Sequence, residues 1–183
     1  MSYTIETIAE RISARRVGDT PATIDWLLTD SRSLSFPEET LFFALTTKRN
    51  DGARYIPDLY SRGVRNFVVS KEDFREVESG EWRVESAMQR DGAQLTLHSP
   101  LSTLNLLVVA NPLKALQKLA EQHREQFQIP VIGITGSNGK TIVKEWLHQL
   151  LSPERVIVRS PRSYNSQIGV PLSVWQMNEQ SEL

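Results

Sequence analysis

Apolar residues recur along this chain in two spacings, and each spacing predicts an element. Ile5, Ile8, Ala9 and Ile12 return at helical intervals, which predicts a short amphipathic helix over residues 4–13 with one buried stripe. Ile24 to Leu28 and Leu41 to Leu45 read as strands, and the second is apolar throughout, as expected of a strand covered on both faces. Tyr55 to Arg62, closed by Gly63, suits a helix with a glycine stop, and Asn66 to Val69 suits the next strand. Between Lys71 and Thr103 the chain is rich in charge and poorly periodic, and only Gln94 to His98 suggests a hairpin strand.

Leu104 to Val109 reads as a buried strand, and Asn111-Pro112 supplies a helix cap and a first-turn proline. Leu113, Leu116, Leu119, Ala120, His123 and Phe127 then fall on one face of a helix. A domain boundary is expected near Ala110, dividing the chain into residues 1–110 and 111–183. In the second part, Ile129 to Ile132 and Val156 to Val158 are the expected strands and Ile142 to Leu151 the helix between them, a right-handed β-α-β unit. The predicted class is therefore α/β. Two or three strands are too few to cover and edge a parallel sheet, so the second domain is expected to be incomplete within these 183 residues.

The turn inside that unit carries the chemistry. Residues 133–141 read Gly-Ile-Thr-Gly-Ser-Asn-Gly-Lys-Thr between the strand and the helix. Gly136 and Gly139 permit backbone conformations that a Cβ would obstruct, so successive N–H groups can converge on one point. The free N–H groups of the following helix and the positive end of its dipole favour an anion there. The residues thus form a cradle for a triphosphate, with Ser137, Asn138 and the glycines as its wall. Lys140 supplies a charge to the β and γ phosphates and the Thr141 hydroxyl a ligand for Mg2+. The general pattern G-x-x-x-x-G-K-[ST] wants glycine where this chain has Ile134.

The variant that does match, Gly-x-x-Gly-x-Asn-Gly-Lys-Thr, resembles the ATP loop of the Mur ligases, which build the peptide stem of bacterial cell-wall precursors, and of the folylpolyglutamate synthases. Thr29-Asp30-Ser31-Arg32, Leu41 to Leu45, Asn50 to Ile56 and Gly63-Val64 resemble the UDP-binding first domain of the later Mur ligases, which the synthases lack. Tyr164 to Leu172 resembles a segment of the branch that joins D-alanyl-D-alanine to UDP-N-acetylmuramoyl-tripeptide, and the wording is nearest to the bacteroidete form fused to an alanine racemase. Three positions depart from the family pattern: Ala53 in place of a histidine, no glycine near Thr47, and Ser166 in place of a second asparagine.

The resemblance implies an ATP- and Mg2+-dependent amide ligase acting through an acyl phosphate, with Lys140 catalytic. It implies that Gly136, Ser137, Asn138, Gly139, Lys140 and Thr141 bind ATP, and that Ser31, Arg32, Asn165 and Ser166 contact the UDP substrate. It further implies residues 1–110 as the UDP-precursor domain and 111–183 as the start of the ATP-binding domain, with the remaining catalytic residues beyond Leu183, so that these residues alone are inactive. The ligase that adds the third stem residue, a non-catalytic UDP-sugar module and a regulatory nucleoside triphosphatase stand as alternatives. For Asp30 and Arg32 a turn-stabilising ion pair competes with ligand contact, and for Asp51-Gly52 ordinary turn chemistry does.

Composition changes this picture little. A net charge of −1 gives no electrostatic reason for a nucleic-acid or membrane partner, the absence of cysteine removes disulfides and thiolates, and no leader or membrane span is legible, which makes the cytoplasm the expected compartment. His98, His123 and His148 lack metal spacing, and His123 reads as a packed side chain. Glu145 is expected to face solvent, Trp146 and Trp175 to pack in a core or between domains, and Arg159 and Arg162 to lie on a solvated edge or near phosphates.

Overall fold

The computed structural model describes residues 1–46, 51–78, 104–161, 164 and 166–183. They form two compact units, Ser2–Ala115 and, from Leu116, Leu116–Leu183. The hairpin strand expected at Gln94 to His98, and Arg162 and Asn165, lie outside the described residues.

Among the described residues, seven strands belong to the first unit: β1 (Tyr3–Thr4), β2 (Arg15–Val17), β3 (Thr23–Ile24), β4 (Trp26–Leu28), β5 (Thr40–Phe43), β6 (Asn66–Ser70) and β7 (Asn105–Val109). β1 and β3 pair antiparallel, while the main sheet runs β2-β7-β6-β5-β4, with β2 antiparallel to β7 and the other neighbours parallel. Every residue of β5 and β7 is buried, as doubly covered parallel strands require. Phe42, Phe67, Val69, Leu106 and Val108 share one core with Ala53, Ile56, Leu59 and Phe74. Alternate positions Leu41, Phe43, Val68 and Leu107 are equally buried and turn to the other face.

The helices of this unit are α1 (Ile5–Arg11), α2 (Ile56–Ser61) and α3 (Lys71–Glu78). Thr4 caps α1 by accepting from the Thr7 amide at 3.2 Å, and Gly63 closes the turn after α2 at a φ of +99°. The helix expected over Tyr55 to Arg62 begins with a 3-10 turn at Ala53–Tyr55. The stretch Ile24 to Leu28 is two strands in two sheets rather than one, because the amides of Asp25 and Trp26 both donate to the Glu39 carbonyl and the chain changes sheets there. α3 had no periodic signal: its sequence is dominated by charge, and it buries Phe74.

Two asparagines sit fully inside the sheet. Asn66 and Asn105 are register partners on β6 and β7, and Asn105 Nδ2 donates to Asn66 Oδ1 at 2.8 Å and lies near the Thr20 carbonyl as well. Arg16 Nε and Nη2 complete Asn105 Oδ1 from β2 at 3.2 and 2.9 Å. Buried amides are tolerated when satisfied in this way.

The second unit contains most of α4 (Pro112–Arg124), with α5 (Lys140–Leu151) and α6 (Gly169–Val174). The division between units falls inside α4. Asn111 Oδ1 accepts from the Lys114 amide at 3.0 Å, capping α4 as its sequence predicts. α4 ends at Arg124, so Phe127 lies beyond the helix, although its ring meets that of the fully buried His123 edge-on at 5.1 Å. His123 also contacts Trp175 at 4.8 Å, and its Nε2 lies 3.0 Å from the Met177 carbonyl.

Neither Ile129–Ile132 nor Val156–Val158 is a strand, so the expected β-α-β unit is present only as its helix and its connecting segments. A strand is defined by a hydrogen-bonded neighbour, and none of the described strands flanks these segments. Residues 156–158 nevertheless keep an extended pairing: Val158 N–H donates to the Leu183 carbonyl at 2.9 Å and Glu182 N–H to the Val156 carbonyl at 2.8 Å. Trp146, expected to pack, is 67% exposed. Among the described residues no helix is long and apolar enough to cross a membrane.

Candidate functional site

The glycine-rich turn runs directly into α5. Gly139 is the residue before the first helical position, at a φ of +78°, and Gly136 lies at +137°, both in the region that disfavours side chains. Gly139 has no side chain with which to cap the helix, and the first intrahelical bond runs from Val143 N–H to the Gly139 carbonyl at 2.9 Å. The amides of the first turn therefore have no capping side chain from that position, which is the arrangement that suits an anion. A Cβ on Gly139 would meet nothing within 4 Å, so backbone conformation, not crowding, is what selects glycine there. Gly136, Ser137, Asn138, Gly139 and Thr141 are all exposed.

Lys140 does not extend into solvent. Its Nζ donates back to the carbonyl of Gly136 and lies 3.4 Å from that of Ser137, so the ammonium is drawn across the turn that precedes it. Beside the turn is a cavity of about 520 Å3 whose wall includes Val131, Ile134, Lys140, Thr141, Leu147 and Leu151. Gly136 to Thr141 are thus assembled at the start of one helix.

One helical turn further on, α5 carries a second charged group. Lys144 Nζ donates to the Ser160 carbonyl at 2.6 Å and lies 3.2 Å from Glu145 Oε1, while Glu145 Oε2 accepts from Arg159. Hydrogen bonding from Lys144, reinforced by the positive charge of Arg159, holds the Glu145 carboxyl below its ordinary range. Glu145 therefore pairs with cations rather than simply facing solvent, and Arg159 is committed to it. Sequence reasoning missed this group; the only signal was Lys144-Glu145 directly after the loop.

The other described site residues have hydrogen-bond partners within the fold. Asp30 opens a 3-10 turn at Ser31–Ser33 and its Oδ1 accepts from the Arg32 amide at 3.1 Å. The Arg32 guanidinium reaches the same carboxylate with contacts of 2.9, 3.2 and 2.7 Å, and hydrogen bonding from this guanidinium lowers the Asp30 pKa while Asp30 raises that of Arg32. The turn-stabilising ion pair is thus present. The Ser31 carbonyl accepts from Arg62 at 2.9 Å. Asp51 Oδ1 accepts from the Ala53 amide at 2.9 Å, an Asx turn, and Gly52 packs so close to the end of β5 that a Cβ would stand 2.5 Å from the Leu45 nitrogen. In the second unit the Ser166 hydroxyl accepts from the Gly169 amide at 2.9 Å and opens α6, and the neighbouring Gln167 carbonyl accepts from Gln117 of α4 at 3.3 Å.

Comparison with known proteins agrees with this geometry. Residues 134–183 match the Mur ligase middle domain. The whole chain superposes on 35% of a UDP-N-acetylmuramoylalanyl-D-glutamyl-2,6-diaminopimelate–D-alanyl-D-alanyl ligase from Acinetobacter baumannii with a TM-score of 0.74 at 24% identity. Sequence and fold together give the chain an α/β fold of the Mur ligase type, with residues 134–183 matching that family's middle domain. The relatives it resembles share a narrower name. It is 26% identical over 182 residues to the UDP-N-acetylmuramoyl-tripeptide–D-alanyl-D-alanine ligase of Bacillus subtilis, covering 98% of this chain and 34% of that protein. It is 31% identical over 144 residues to the ligase of the same name from Borreliella burgdorferi, covering 79% of this chain and 27% of the other. The chain thus spans about a third or less of the length of these relatives. A further solved relative, the MurF ligase from Thermotoga maritima in complex with ADP, aligns over 85% of this chain and 30% of its own with a TM-score of 0.57 at 23% identity.

Proposed function

We propose that this chain carries the phosphate loop and the UDP-precursor unit of an ATP-dependent amide ligase that adds D-alanyl-D-alanine to UDP-N-acetylmuramoyl-tripeptide in cell-wall precursor synthesis. The observation that carries the reading is the loop itself: Gly136 and Gly139 in left-handed conformations, a helix start without a capping side chain, and Lys140 drawn back over the turn. The names of the matched relatives support the choice of the D-alanyl-D-alanine branch over the ligase for the third stem residue.

The chemistry asks for little more than positioning and charge neutralisation in its first step. A carboxylate oxygen of the tripeptide attacks the γ-phosphorus and ADP leaves, giving an acyl phosphate. The amine of D-alanyl-D-alanine then attacks the acyl carbon, a proton leaves the nitrogen, and collapse of the tetrahedral intermediate expels phosphate. Lys140 neutralises charge on the transferring phosphoryl group, and the amides at the start of α5 hold its oxygens. The Thr141 hydroxyl would be the residue to hold Mg2+, which would supply further charge neutralisation when bound. Ser31 and Arg32 in the first unit, and Asn165 and Ser166 in the second, are the proposed contacts to the UDP substrate.

The test is ligation of D-alanyl-D-alanine to UDP-muramoyl tripeptide by the full-length protein, purified free of host ligase. Product from wild type and none from Lys140→Ala, with the fold unchanged by circular dichroism, supports the reading; normal turnover by Lys140→Ala refutes the role given to that lysine. Residues 1–183 alone are expected to give no product. Loss of UDP-substrate affinity on Ser31→Ala supports a direct contact, and unchanged affinity opposes it.

A further inference from the structure

We propose that Lys144, with Glu145 and Arg159, is a positioning device that sets the substrate-side segment of the second unit against the helix bearing the phosphate loop. The inference rests on the ligase reading above and deepens it. Lys140 and Lys144 are one turn apart on α5, yet their ammonium groups have different partners. The first lies on the carbonyls of Gly136 and Ser137, the second on that of Ser160, sixteen residues further along the chain. Lys144 is the more enclosed of the two cations in this group, with 15% of its side chain exposed against 37% for Arg159. Its contact with Ser160 is a charge-assisted hydrogen bond in a partly buried setting, the stronger kind.

Glu145 extends the tie. One carboxylate oxygen meets Lys144 and the other Arg159, so two successive residues of α5 grip two successive residues, Arg159 and Ser160. Val158, next to them, is bonded to Leu183, so the segment is fixed from a second side. A few residues on, Ser166 opens α6 and Gln167 is tied to α4. Ser160 is therefore anchored to the helix that opens at the loop, and Ser166, beside the residue anchored to α4, is where the UDP substrate is proposed to make contact. Removing Lys144 releases the first of these anchors without touching the loop's own glycines or Lys140.

The effect expected is selective. In the full-length protein, Lys144→Met raises the KM for UDP-muramoyl tripeptide about tenfold, the lower end of what a lost charge-assisted hydrogen bond costs. It leaves the affinity for ATP, measured by calorimetry, within about twofold. Lys144→Arg, which keeps a donor and the charge, restores most of the substrate affinity, and Glu145→Ala gives a smaller rise that the swap Glu145→Arg with Arg159→Glu reverses. Equal weakening of both ligands would reduce Lys144 to a general structural role, selective loss of ATP would make it a phosphate contact, and no change in either would leave the tie without consequence; each of these overturns the proposal. If the wild-type protein binds neither ligand, the ligase reading itself has failed, which is a separate outcome.

Discussion

The two units treat similar apolar sequence in opposite ways. In the first, Leu41-Phe42-Phe43 and Leu106 to Val109 are strands with every side chain buried, because each has a hydrogen-bonded neighbour and a covered face. In the second, Val131 is 69% exposed, Ile132 51%, Ile142 57% and Leu150 72%, and α5 contains no buried residue at all. An apolar run records what a segment is suited to bury, whereas a strand needs a partner to accept its hydrogen bonds. The first unit buries these runs in its core, whereas α5 and the segment before the loop leave theirs largely exposed.

The contrast predicts very different costs for similar truncations. Phe67→Ala, which removes a fully buried ring packed edge-on against Phe42 at 6.3 Å, is expected to cost about 3–5 kcal/mol in denaturant unfolding. Leu150→Ala is expected to fall within about 0.5 kcal/mol of wild type. Comparable losses at both positions would erase the distinction between the units. Next in size is Gly52→Ala, where a methyl group would stand 2.5 Å from the Leu45 nitrogen; the account expects a loss of about 1–3 kcal/mol by the same measurement, and a neutral effect would mean that the Asp51-Gly52 turn is not the packing feature described.

The smallest effect sharpens the view of the Asp30-Arg32 turn. The pair is largely exposed, so Asp30→Asn is expected to cost less than about 1 kcal/mol at neutral pH. The sign of its pH dependence follows from the depressed folded pKa. The stabilisation is fully present above the ordinary carboxylate value of 3.8 and is lost as pH falls through the lower folded value. The difference between wild type and Asp30→Asn should therefore persist down to that ordinary value and vanish below it. A difference already gone at pH 5 would show that Arg32 does not hold the carboxylate in solution.

What was legible in the sequence follows the same division. Helical spacing found α1 and most of α4, and continuous apolar runs found β5, β6 and β7, because in the first unit local preference and tertiary burial agree. The two-strand split at Asp25 was hidden, since a change of sheet leaves the apolar pattern intact. α3 was hidden because its charged residues dominate a short helix that buries only Phe74 among its described side chains. The strands expected at Ile129 and Val156 failed for the reason already given: pattern reports burial preference, not pairing. The backbone of the glycine-rich turn was legible, because the need for positive φ at Gly136 and Gly139 is written locally. The Lys144 tie was not, since it joins residues sixteen apart through a backbone carbonyl, and a carbonyl has no letter in the sequence.

The most direct test of the central claim, that the turn from Gly136 to Thr141 grips the phosphates of ATP, is a calorimetric titration of Mg-ATP into the full-length protein and into its Lys140→Ala variant. The account predicts saturable binding at one site in the wild type and affinity weakened at least about tenfold in the variant, with no change in unfolding free energy beyond about 0.5 kcal/mol. Equal affinity in the two proteins would contradict it.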